Sequence, residues 1–66
     1  MLSPSEIINQ LIGSTEGQVA NILQGAGYFC MVVNRDGMFY PTVNDFNISR
    51  IKIHVVNGVV TKAKIG

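Results

Sequence analysis

The stretch Arg50–Ile65, RIKIHVVNGVVTKAKI, decides the fold. Ile51, Ile53 and Val55 alternate with Arg50, Lys52 and His54, the period-two pattern of a strand with one buried face. Asn57-Gly58 is hairpin-turn chemistry, and VVTKAKI is the returning strand. The register can be argued from burial. A two-residue Asn57-Gly58 loop opposes Ile53 to Lys62 and Ile51 to Lys64 and so puts lysines on the apolar face. A three-residue loop, Val56-Asn57-Gly58, opposes Val55 to Val59, Ile53 to Thr61 and Ile51 to Ala63. Burying a lysine costs far more than a turn preference yields, so the three-residue loop is the expected one. The opposite face then gathers Arg50, Lys52 and His54 with Val60, Lys62 and Lys64.

Immediately upstream, Tyr40–Ser49 (YPTVNDFNIS) fits neither a helix nor a clean strand. So long an irregular run in a small domain is more often functional than incidental. Pro41 fixes one backbone angle, and Val43, Phe46 and Ile48 can anchor the segment, which argues for an ordered loop. Arg50 and Lys52 stand where the loop enters the strand, and Asp45 is the obvious acceptor for Arg50. A charge-assisted pair there stiffens the loop, and preorganisation is what a binding loop needs.

Towards the N-terminus the signals are helical. Ser3-Pro4-Ser5-Glu6 reads as a capped start, followed by Ile7 with Leu11 and Ile8 with Ile12, and Gly13 ends the turn. Ser14 or Thr15 restarts the chain, with Gln18 completing a capping box on Thr15. Val19, Ile22, Leu23 and Ala26 form the buried stripe of the main helix, which ends at Gly25-Ala26-Gly27. Tyr28–Val33 (YFCMVV) reads as a strand buried on both faces or nearly so, with Cys30 as a small buried hydrophobe. Asn34-Arg35-Asp36-Gly37 is turn chemistry, and Met38, Phe39 and Tyr40 return briefly before Pro41. The fold class is α+β. One main helix, preceded by a short helical turn, packs on a small mixed or antiparallel sheet of three to four strands, as a single domain over 1–66.

Composition narrows the function. The chain has 66 residues, 47% apolar and 14% charged, with a formal charge of +1. This apolar content argues against disorder, and the small net charge gives no global field to draw nucleic acid or membrane. A lone cysteine allows no intrachain disulfide, and one His with one Cys far apart provides no metal site. No cofactor is implied. The N-terminus lacks a secretory signal, so a cytoplasmic location is expected. Asn47-Ile48-Ser49 is an N-glycosylation sequon by chance in that setting.

Leu11-Ile12-Gly13-Ser14-Thr15, the run PTVNDFNISRIKIHV and the closing Lys64-Ile65-Gly66 together resemble the potato type I serine-protease inhibitors, the eglin and barley chymotrypsin inhibitor family. In that family a helix and a buried strand precede a protruding loop of the form P-V-T-L/M-D/E, and a strand with alternating arginines follows. The resemblance implies that Asn44 is the specificity residue and Asn44-Asp45 the scissile-type bond. Pro41, Thr42 and Val43 then occupy the acyl-side subsites of a protease, Phe46 the leaving side, and Arg50 and Lys52 support the loop from behind. Two departures stand out: Val43 replaces the family's threonine, and Asn34–Tyr40 is longer than the family's link.

The expectation is a small protein that blocks a serine protease through Tyr40–Ser49. The alternative is an oligomeric binding protein on the same scaffold that sequesters a small anionic ligand such as a nucleotide, through Phe39, Tyr40, Arg50, Lys52 and His54. A simple solvated face is the bland reading of the same basic residues. An enzyme is not expected. Ser49, His54 and Asp45 include the residue types of a triad, but Ser49 and His54 are five apart and point to opposite faces of an extended strand.

Overall fold

The computed structural model describes residues 3–41 and 45–66. Helix α1 spans Pro4–Leu11 and α2 Glu16–Ala26. Four strands follow: β1 Phe29–Arg35, β2 Met38–Phe39, β3 Arg50–Val56 and β4 Val59–Ile65, in the sheet order β2-β1-β3-β4. The sheet is mixed, with β1 parallel to β3 and the two outer pairs antiparallel.

Local chemistry starts both helices. The Ser3 hydroxyl accepts from the Glu6 N–H, and Thr15 and Gln18 form a reciprocal capping box. Helix α2 stops at Gly27, whose φ of 81° is left-handed, and the Tyr28 N–H then returns to the Leu23 carbonyl at 2.9 Å. Ile7 and Leu11 of α1 and Val19 and Leu23 of α2 bury against Ile51, Ile53, Val55 and Val60. All of these core residues are at most 4% exposed. Ile12 and Ala26, expected on the buried stripes, are exposed.

Between the helices, the Gly13 N–H donates to the Val60 carbonyl and the Val60 N–H donates to Ser14, both at 2.8 Å. Thr15 bridges to Val59. The connector therefore covers the first half of the β4 edge, which would otherwise be open to pairing with another strand.

The C-terminal hairpin has a different register from the expected three-residue loop. Val56 pairs with Val59 across a two-residue Asn57-Gly58 turn, with φ values of 52° and 78°. Two successive positive φ values suit the right-handed twist of a hairpin, and Gly58 takes its value without a side-chain clash. Val55 pairs with Val60, but His54 pairs with Lys62, Ile53 with Ala63 and Ile51 with Ile65. Thr61 is the extra residue of a β-bulge. The bulge meets both demands at once: the turn keeps its preferred form, and the lysines still leave the apolar face. The two-residue turn also puts Val60 opposite Val55 on the core side, 1% exposed, where the three-residue register places it among the basic residues.

A second shift interrupts the β1–β3 ladder, where Val32 pairs with Ile53 but Asn34 with His54. Both neighbours of β3 thus carry an extra residue beside His54. Strand β1 continues into a hairpin, Arg35↔Met38 and Asn34↔Phe39, through Asp36-Gly37. The Asp36 carboxylate accepts from the Asn57 N–H at 2.7 Å, so the two turns brace each other. Strand β1 is not buried on both faces. Both helices pack on one side of the sheet, leaving Phe29 69% exposed, and Cys30 is exposed as well, not a buried hydrophobe.

Candidate functional site

Strands β1 and β3 run in the same direction, so the chain must return from the far end of β1 to the start of β3. It does so through β2 and then Tyr40–Ser49, with no crossover helix among the described residues. The Tyr40 N–H donates to the Val33 carbonyl at 3.0 Å, which fixes the entry to the loop. At the exit, the Asn47 carboxamide oxygen accepts from the Ser49 N–H at 2.8 Å, and the Asn47 carbonyl from the Arg50 N–H at 3.1 Å. The sequon asparagine therefore serves the turn. The Phe29 N–H donates to the Ser49 carbonyl at 2.7 Å, stitching the exit to β1.

Arg50 holds the loop from behind. Its Nη2 donates to the Asp45 main-chain oxygen at 2.8 Å and to Asp45 Oδ1 at 3.3 Å. Nε donates to the Gly66 oxygen at 3.0 Å, and Nη2 reaches the same oxygen. The Arg50 side chain is only 14% exposed, whereas that of Asp45 is 66% exposed. Solvent screens the carboxylate, so the main-chain contact is the firmer half of this clamp. The expected Arg50–Asp45 pair is present. Its partner Gly66 was not anticipated, because no spacing in the sequence predicts that the end of β4 lies beneath the loop.

Phe46 is 72% exposed, yet its ring lies against Gly66: a β-carbon placed on that residue would be 3.6 Å from Phe46 Cδ2. Ile48, 71% exposed, does not anchor the loop as expected. Pro41 is exposed. Thr42, Val43 and Asn44, including the expected specificity residue, lie outside the described residues. Lys52 follows on the same face of β3 as Arg50, but it makes no side-chain hydrogen bond to the described residues. Ser49 and His54 are not hydrogen-bonded to each other.

The residues of the alternative ligand set are divided. Phe39 lies beside Asn34, which pairs with His54, so Phe39, Lys52 and His54 share the helix-free face. Tyr40 belongs to a different cluster. Its hydroxyl accepts from Arg35 Nη1 at 3.4 Å, and the Arg35 guanidinium lies 5.6 Å from its ring centre. Arg35 also makes a two-pronged pair with Glu16, Nε to Oε1 at 2.9 Å and Nη2 to Oε2 at 2.8 Å. The hydrogen bond to Glu16, then that to Tyr40, holds the guanidinium in its charged form. This cluster ties α2 to β1 and the loop entry.

Compared with known proteins, the chain matches no family model, no curated sequence and no solved structure.

Proposed function

We propose that this protein binds and blocks a serine protease through Tyr40–Ser49. The observation that carries this reading is the clamp of Arg50 on the Asp45 main-chain oxygen and Gly66. A protease that attacks the Asn44-Asp45 bond must expel the segment beginning at Asp45. Here that segment stays tethered, by Arg50 at Asp45 and by the Phe46 ring against Gly66. The entry side is held by the Tyr40–Val33 hydrogen bond. A new amino group that cannot diffuse away remains at high effective concentration beside the acyl-enzyme, and the bond re-forms. The resemblance to potato type I inhibitors supports the same assignment.

The test is incubation with subtilisin- and chymotrypsin-type proteases, followed by mass spectrometry. Tight inhibition with one slow cleavage after Asn44 is the expected result. Rapid cutting at many sites, or no inhibition by any member of the panel, would refute the reading.

A second reading, capture of a small anionic ligand, draws on the basic groups of the open sheet face. Lys52 and His54 remain in it. Tyr40 lies on the other face and Arg50 is committed to the loop.

A further inference from the structure

Charge is segregated in this molecule in a way its small net charge conceals. None of the four acidic side chains forms an ion pair with a lysine of the helix-free sheet face among the described residues. Glu16 is paired with Arg35, Asp45 with Arg50, Asp36 accepts from Asn57, and Glu6 lies in the first turn of α1. On the open face, Lys52 is directly opposite Lys64, and His54 directly opposite Lys62. No carboxylate lies within 4 Å of these lysines among the described residues. A lysine directly opposite a lysine weakens a sheet. Lysines on β4 can be explained as protection of an edge strand, but Lys52 and His54 are on β3, an interior strand that needs none.

Aromatic groups flank these rungs. Phe29 pairs with Arg50 and Phe39 with Asn34, which places both on the same face, 69% and 75% exposed. Met31 lies between them on β1, beside Lys52. The two basic rungs are about 7 Å apart along the strands, a spacing that successive phosphates of an extended strand can meet. An open face with cations on one side and aromatic rings on the other suits a ligand that alternates phosphates with flat bases.

We propose that the helix-free face of the sheet binds single-stranded nucleic acid, with phosphates along Lys52, His54, Lys62 and Lys64 and bases stacked on Phe29 and Phe39. This surface adjoins the loop exit, where Phe29 pairs with Arg50, but the groups named on it are not those of the Arg50 clamp, so the proposal does not depend on protease inhibition.

The test is fluorescence anisotropy with a labelled ten-residue oligothymidylate. Three lysine contacts predict an affinity loss of about 20-fold between 50 and 200 mM salt. The K62S/K64S double variant is expected to lose most of the binding and of that salt dependence. F29S and F39S are each expected to weaken binding at least about fivefold while keeping the salt dependence. Circular dichroism confirms that each variant is folded, and protease inhibition by K62S/K64S serves as an independent control. Absence of oligothymidylate binding at 50 mM salt would overturn the proposal, as would binding indifferent to the lysines. Equal affinity for dextran sulfate or anionic phospholipid vesicles, together with indifference to both phenylalanines, would show a charge effect only and would overturn it too.

Discussion

Replacing Arg50 by lysine keeps the charge but removes the planar fork that serves Asp45 and Gly66 together. R50K is expected to cost about 2 kcal/mol of stability, measured by denaturant unfolding, and, on the proposed inhibitor reading, to speed protease cleavage of the loop. Cys30 offers a second test at this scale. Partial burial, and secondarily the charge of Glu16, push its thiol pKa up. The folded state then holds the proton more tightly than the unfolded chain, so this group's contribution to stability falls as pH rises through the unfolded thiol range. Stability measured between pH 7 and 10 is therefore expected to decline more steeply in the wild type than in C30S. The thiol is also expected to react with disulfide reagents more slowly than its exposure alone suggests.

Among the elements, the β4 bulge makes the sharpest prediction. Thr61 is the surplus residue, so deleting it leaves Val55↔Val60, His54↔Lys62 and Ile53↔Ala63 in one continuous ladder. This deletion is expected to change stability by less than about 1 kcal/mol. Deleting Ala63 instead forces a lysine onto the apolar face, whether or not the bulge is kept, and is expected to cost several kcal/mol, on the order of 3. Thermal melts of the two deletions separate these outcomes. The helices were legible because their signals are local: Thr15 with Gln18, Ser3 with Glu6, Gly27 after the last turn. The alternation in β3 was equally plain. The register was not legible, because a bulge leaves no compositional mark. The turn preference and the exclusion of lysines from the apolar face conflict in any unbroken register, and only an extra residue reconciles them. For β1, the apolar run YFCMVV could not reveal that one of its faces has nothing packed on it.

At the scale of the whole molecule, the core is small enough that one residue matters. Ile53 is fully buried in the central strand, and I53A is expected to cost about 3 kcal/mol. A domain of this length has roughly 3–10 kcal/mol in total, so calorimetry of I53A is expected to show a large drop in melting temperature or no transition. The loop and its arginine were legible as a candidate site, since length, Pro41 and the Asp45-to-Arg50 spacing are all in the sequence. The separation of charge was not, because it depends on where the fold carries Glu16 and Asp36. The paired irregularities beside His54 matter at this scale as well. They break the hydrogen-bond ladder on the two flanks of β3 on either side of His54, between Ile53 and His54 towards β1 and between His54 and Val55 towards β4. The sheet is thereby divided into a turn-bearing block, braced by Asp36 and the helix connector, and a loop-bearing block from Arg50 to Ile53. Each block can open by its own local fluctuation. Amide exchange along β3 is therefore expected to step at His54, so the part of the sheet that carries the loop can breathe while the turns stay closed.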